Sequence, residues 1–488
     1  MKKRILTLVA ALAAAALLAA CGDKPPAVTT TDTSAEDTSV TDADTLGIPE
    51  TADYGGEAFN ILSAGNVAYA DFTADENAST PLDSAQYRRK ALVEQNYGVK
   101  ITETVEKAYS SGGGPGYKRL STDANAGDCN FDLALVAGYD VTVLAYSDYL
   151  YDLASIPGID LSKSWWDKRA NESLAVRGVM FFTTGEITVS DNNVAFVILF
   201  NKELRKAYDL NDPYSLVYDG EWTLDTFGAL CKTVTEDLDQ NGIMDANDRF
   251  GVLVWDDSVV GIVNAAGQRC CTIAEDGTIG LTLYNETTLA ALDKYFSIIY
   301  DTQYALTYQR EKVDPLEMWQ ADKGLFWMNT MDRIPQLRGM ESDFGILPYP
   351  KLNAEQQDYC TTVAPYNSQF VCVPLIQKDI ERTGIITEAL AYYGEKIVTP
   401  AYYDVNLVGQ STRDEESADM LEIIFDNLVF DIGYYYQVGP YNKQLIRMVQ
   451  ERDTNFTSMY DSYKISAERL LTVINTYYAK AVSGWEKQ

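Results

Sequence analysis

The densest chemistry in the chain lies between Glu221 and Asp257. Asp237, Asp239, Asn241, Ile243, Asp245 and Asp248 occupy positions 1, 3, 5, 7, 9 and 12 of one acidic run, with Gly242 at position 6. Four carboxylates, an amide oxygen and a main-chain carbonyl around a glycine turn are hard oxygen donors, the set that calcium takes. The role expected for such an ion is structural: it would pin the helix before the loop to the strand after it. That strand, Phe250-Gly-Val-Leu-Val-Trp255, ends in an aromatic ring followed by Asp256-Asp257. A ring face beside carboxylates suits a polar ligand with apolar patches, because ring burial supplies area and the carboxylates fix orientation.

Other chemistries are excluded by composition. The chain has no histidine, which removes the serine triad and the usual zinc sites. A formal charge of −32 gives nothing to neutralise phosphates, so nucleic acid is not an expected partner. Paired carboxylates alone can hydrolyse glycosides, yet no pair stands out among 71 acidic residues. Catalysis is therefore not expected.

At 488 residues the chain exceeds one ordinary core, and more than one domain is expected. Met1-Lys-Lys-Arg4 and the apolar run to Ala20 read as a secretory leader, residues 1–20, too short for a comfortable membrane span. The run ends Leu18-Ala19-Ala20-Cys21-Gly22. From there to residue 54 the composition is Thr, Ser, Asp, Ala and Pro, which reads as a flexible acidic tether (residues 21–54). Of the six later cysteines, Cys360 and Cys372 could pair if their strands are neighbours; the rest read as small buried hydrophobes.

The folded body begins near Gly55. Phe59–Ser63, Val99–Glu103 and Phe131–Val136 are short apolar runs that read as strands. Helical patterns near Ser84–Asn96 and Tyr117–Ala126 separate them, the first closed by Gly98. This order implies a parallel sheet covered by helices. The loop Ser110–Gly116 is glycine-rich but no Gly-Lys-Ser/Thr follows, so it is not a P-loop. Two β-rich runs within Met180–Leu204, broken at Asp191-Asn-Asn, suit a strand crossing between two lobes, and Phe344–Lys351 is a second candidate crossing. Helices are expected near Glu286–Tyr300, Glu381–Val398, Glu415–Leu428 and Met459–Val482.

Several of these pieces carry a resemblance. Leu18–Gly22 resembles a bacterial lipobox, in which the cysteine is lipidated. Trp222-Thr-x-Asp-Thr-Phe, Phe200-Asn-Lys202, Phe344-Gly-Ile-Leu-Pro-Tyr-Pro-Lys351 and Arg413-Asp-Glu-Glu-Ser-Ala-Asp-Met-Leu look like those of ABC-transporter extracellular solute-binding lipoproteins, family 1, related to maltose- and oligosaccharide-binding proteins. The acidic loop resembles an EF-hand, in the dockerin variant with Asp at position 12. The resemblance implies an α/β periplasmic-binding-protein-like fold of type II, two lobes joined by crossing hinge strands. Lobe 1 would hold residues 55–187 plus 352–400, and lobe 2 residues 188–351 plus 401–488. It also implies a monomer, anchored at Cys21 on the extracytoplasmic membrane face, that passes a carbohydrate to ABC permease subunits. Ligands of open α/β sheets sit beyond the carboxyl ends of strands. On that rule the ligand candidates are Gly65, Asn66, Tyr139, Asp140, Glu186, Asp191, Trp255, Asp256, Trp327, Asn329 and Tyr366.

Overall fold

Alternation of apolar strands and capped helices dictates the first half of the structure. In the computed structural model, residues 45–67, 70–76, 80–337, 339–403 and 415–485 are described. Strand β1 (Glu57–Gly65) leads to helix α1 (Pro81–Tyr97). The Thr80 side chain accepts the Asp83 N–H at its start, and Gly98 ends it with φ 60°, a conformation glycine adopts without steric cost. Strand β2 (Val99–Lys107), helix α2 (Pro115–Ala126) and strand β3 (Leu133–Ala137) follow, and β3 runs straight into α3 (Gly138–Ala145). β1 lies between β2 and β3, parallel to both.

The chain then leaves this sheet. Thr183 still bridges to Val371 at its edge, whereas Ala195 already bridges to Val363. Between them lies one helical turn at Ser190–Asn193. A second sheet follows, built from β4 (Phe196–Asn201), β5 (Phe250–Val254), β6 (Ala305–Thr307), β7 (Gly324–Thr330) and β8 (Phe344–Leu347), in the order β8-β4-β7-β5-β6. Helix α4 (Leu224–Thr233) precedes β5 and opens with a reciprocal cap between Thr223 and Thr226. Helix α5 (Ser258–Ala265) follows β5. Of the segment Phe344–Lys351, expected as a second crossing, Phe344–Leu347 is an edge strand of this sheet, antiparallel to β4.

The return is made further on. Thr361-Thr362 pairs with Leu428-Val429, Val363 bridges Ala195, and β9 (Gln369–Cys372) joins the first sheet antiparallel to β3. Gly138 shows how closely this return segment docks: a Cβ there would lie 2.5 Å from the Pro365 carbonyl oxygen. Helix α6 (Ile380–Tyr393) covers the first sheet's α1, and α7 (Glu415–Phe425) packs on β8. Helix α8 (Tyr441–Glu451) packs on α5, and α9 (Phe456–Trp485) closes the chain.

Residues Ala43–Gln488 behave as one compact unit, because the C-terminal helices touch both sheets. Tyr435 lies against Phe370 of β9, while Asp431 accepts from Asn264 of α5. Trp165 and Trp166 are interior packing: both indole N–H groups donate to Glu388, at 3.0 and 2.9 Å. Burial pushes the Glu388 carboxyl up to about 7, opposed by those bonds. Cys360 and Cys372 are free thiols, as are the other described cysteines.

Candidate binding cleft and acidic loop

Three chain segments bring rings and carboxylates together where the two sheets meet. β3 ends one residue before α3, so the second residue of that helix, Tyr139, stands at the sheet's carboxyl end. β5 ends at Val254, which places Trp255, Asp256 and Asp257 at the carboxyl end of the second sheet. The return segment adds Tyr366, whose ring centroid is 6.5 Å from that of Trp255. Trp255 also packs on Phe196 at 5.0 Å. The Asp257 carboxylate acts on the hydroxyls of both Tyr139 and Tyr366, which burial has already pushed up.

Burial holds both carboxylates here above their ordinary range. Burial, with the adjacent Asp256 adding to it, pushes Asp257 up to about 8. Asp256 is 1% exposed and is also raised by burial. Its Oδ2 accepts from Gln450 of α8, and its Oδ1 has no hydrogen-bond partner. From the same helix Asn442 donates to the Tyr139 hydroxyl and the Lys443 ammonium lies 5.8 Å from its ring centre. One helix thus spans from the first sheet's end to the second's. Asp332 and Arg333, just past β7, act on Tyr366 as well.

Of the residues expected from strand ends, Tyr139, Trp255, Asp256 and Tyr366 converge. Asn329 sits beside them at the end of β7, donating to the Tyr308 hydroxyl at 3.2 Å. Asn66 donates to Asn367 at 2.8 Å and ties β1's end to the return segment. The remainder are placed elsewhere. Gly65 faces Ala137, where a Cβ would come within 2.9 Å of the Ala137 Cβ. Asp140 is wholly buried and accepts the N–H groups of Gly112, Gly114 and Tyr117, so it anchors the glycine loop. Trp327 lies mid-strand in β7, 1% exposed, against Trp319.

Glu186 and Asp191 form a second group, in the crossing. Thr399 donates to Glu186, and Asp191 accepts from Thr184 and from the Asn192 N–H. Burial raises Glu186 to about 7, with Glu395 and Asp167 adding to it. Asp191 is pushed to about 8 by burial, then by Asp167 and Glu186. Sequence reading missed Asp257's central place and the α8 side chains Asn442, Lys443 and Gln450. Lys443 and Gln450 lie about two turns apart on one helix face, the only signal that the sequence offered for them.

The acidic loop folds on itself. Asp237, Asp239 and Asp248 each bring one carboxylate oxygen within 4.8 Å of the others. Gly242 makes the turn with φ 80°. Asp248 is wholly buried and accepts the N–H groups of Leu238 and Asp245. Asn241 Oδ1 accepts from Ile243 N–H, and Asp245 from Asn247 N–H. Strand β5 starts two residues after Asp248, so the loop lies between α4 and the strand that carries Trp255.

No protein-family model matches the chain, and no curated protein matches it. Solved structures do. The galacto-N-biose/lacto-N-biose I-binding protein of the ABC transporter from Bifidobacterium longum, in complex with lacto-N-biose, aligns with a TM-score of 0.57 at 14% identity. That match covers 86% of this chain and 99% of the other. The fold is that of the two-lobe solute-binding proteins. A cyclo/maltodextrin-binding protein complexed with maltotetraose gives 0.57 at 12% identity, over 85% and 97% of the two chains. An ABC substrate-binding protein from Listeria monocytogenes, in complex with cycloalternan, gives 0.54 at 13% identity, over 86% and 99%.

Proposed function

We propose that this chain is an extracytoplasmic solute-binding lipoprotein that captures a carbohydrate, an oligosaccharide, between its two lobes and delivers it to an ABC importer. The observation that carries this reading is the convergence of Tyr139, Trp255 and Tyr366 with Asp256 and Asp257 where the sheets meet. Rings cover the C–H faces of a pyranose, and carboxylates accept its hydroxyls. The solved relatives, bound to lacto-N-biose, maltotetraose and cycloalternan, support the same class. Binding is non-covalent.

Tyr139, Trp255 and Asp256 are 4%, 6% and 1% exposed. A ligand reaches them only if the sheets part or α8 withdraws, which is the hinge motion of binding proteins of this architecture. Segments 184–195 and 361–368 are the hinge. The anchor at Cys21 and a tether as far as residue 44 rest on sequence, since residues 1–44 and Arg413 lie outside the described residues. Residues 45–54, expected in the tether, dock on the body instead: Ile48 is buried in the core, the Tyr97 hydroxyl donates to the Pro49 carbonyl, and the Ala52 N–H donates to the Asn96 carbonyl. No helix among the described residues is long and apolar enough to cross a membrane.

Thermal-shift screening against a glycan panel tests the assignment. At least one oligosaccharide should raise the melting temperature. A response to peptides or amines alone would reject carbohydrate, and release of new reducing ends would reject pure binding.

The loop at 237–248 is proposed to hold a structural calcium ion. Asp237, Asp239 and Asp248 fit it, since they hold three hard oxygen donors within 4.8 Å of one another. Asn241, Ile243 and Asp245 would complete an oxygen shell. Calcium should raise the melting temperature of the wild-type protein and leave that of Asp239→Ala unchanged. Parallel responses of the two proteins would reject the site.

A further inference from the structure

A cavity of about 400 Å³ opens at the outer corner of the first sheet, between the end of β2 and the first turns of α2. Its lining includes Glu106, Tyr109, Lys118, Arg119, Thr122 and Asp123. Three features mark it as more than a surface crease. Asp123 is only 7% exposed, and its Oδ2 has no hydrogen-bond partner. A buried carboxylate oxygen left without a donor is costly and is a rare state in folded chains. Tyr109 at the rim is 65% exposed, a large ring with no packing duty. The volume falls within the range of ligand clefts, about 300–1,000 Å³.

The cavity is tied to the cleft rather than isolated from it. The glycine loop between Tyr109 and α2 leans on the start of α3: Gly112 and Gly114 donate to Asp140, the residue next to Tyr139. Tyr109 is near enough to Tyr139 to act on its hydroxyl. The first turn of α2 is already occupied, because Asp140 also accepts the Tyr117 N–H. What the cavity offers a ligand is therefore side-chain chemistry: a carboxylate seeking donors, one open ring face, and two cations. Arg119 is spread between Glu106, 4.0 Å away, and the Phe131 ring.

We propose that this cavity is an outer subsite of the same binding site, taking a sugar unit of the oligosaccharide beyond those held at Tyr139 and Trp255. The inference rests on the carbohydrate reading above. A chain leaving the cleft past Tyr109 stacks a ring on that side chain and donates hydroxyls to Asp123, while Lys118 and Arg119 donate to ring or hydroxyl oxygens. The site thereby selects for ligand length.

Calorimetry with mono- to tetrasaccharides of several linkage types tests this on the full chain, using wild type, Tyr109→Ala and Asp123→Asn. Both variants are gentle, one removing an exposed ring and the other replacing a carboxylate by its isostere; circular dichroism melts confirm that they fold. The wild type should bind a tetrasaccharide at least about tenfold more tightly than the matching disaccharide, the effect of one or two hydrogen bonds to a charged group. Each variant should lose most of that advantage and keep disaccharide affinity. Sugar binding without length dependence, or length dependence that both variants retain, would overturn the outer subsite and leave the carbohydrate assignment standing. Failure of every sugar to bind the wild type would overturn the assignment and this inference with it.

Discussion

Exchanging Trp255 for alanine should abolish measurable sugar binding and also cost the fold about 3–5 kcal/mol, the usual penalty for emptying a buried aromatic site. Both effects arise from one position. The ring is 6% exposed and packs on Phe196 behind it, yet faces Tyr366 across the meeting of the sheets. Two companion variants separate them. Trp255→Phe keeps a ring against Phe196, so it should fold nearly as well while presenting a smaller face to the ligand. Tyr366→Ala removes a half-buried ring from the ligand side. Losing one such face takes away roughly 2 kcal/mol of ring burial, a weakening of about thirtyfold, with a small change in melting temperature. If Tyr366→Ala binds sugar like the wild type, the rings are packing for the hinge and the site lies elsewhere.

How much of this could be read before the structure depends on how local each signal was. The β1-α1-β2-α2-β3 order was legible because strands were apolar runs and helices carried their own caps, Thr80 and Gly98 among them. The short segment 344–347 was not: an apolar run states that a strand is buried but not which sheet takes it, and β8 pairs with β4 as an edge. Met180–Leu204 was expected as two β-rich runs, but only β4 is a strand. The first run meets the sheet at the Thr183 bridge alone, and a helical turn separates the two. Within the cleft, Tyr139, Trp255 and Tyr366 followed from strand ends. Asp140 shares that position, but a glycine loop more than twenty residues earlier folds back onto its carboxylate. No spacing rule encodes such a return. The same is true of Asn442 and Gln450, which reach partners 303 and 194 residues away.

Stability of the unliganded protein should fall as pH rises from about 4 to about 8, contrary to the usual behaviour of carboxylates that gain a cationic partner. The group that argues this most directly is Asp191. It is 4% exposed and lies in the crossing segment. Burial first, then Asp167 and Glu186, push it to about 8, above the ordinary carboxylate value of 3.8. Between those two values the folded chain holds a proton that the unfolded chain has released, so the folded state binds more protons and loses stability with each rise in pH. One such group contributes up to about 1.4 kcal/mol per pH unit within that window, and nothing below or above it. Glu186 adds in the same direction up to its own value of about 7. Asp191→Asn fixes the neutral form while keeping an oxygen for Thr184, so its urea midpoint should be flatter from pH 5 to 8 and higher than wild type at pH 8. Denaturation curves of the two proteins at pH 5, 6, 7 and 8 check this, and curves that stay parallel across that range would show that Asp191 is already ionised in the folded hinge. The consequence for binding follows from where the charge sits. Ionising Asp191 around and above pH 8 places a charge in the crossing segment beside Glu186 and near Asp167, so repulsion there loosens the hinge at alkaline pH, while protonation holds it tight at neutral and acid pH.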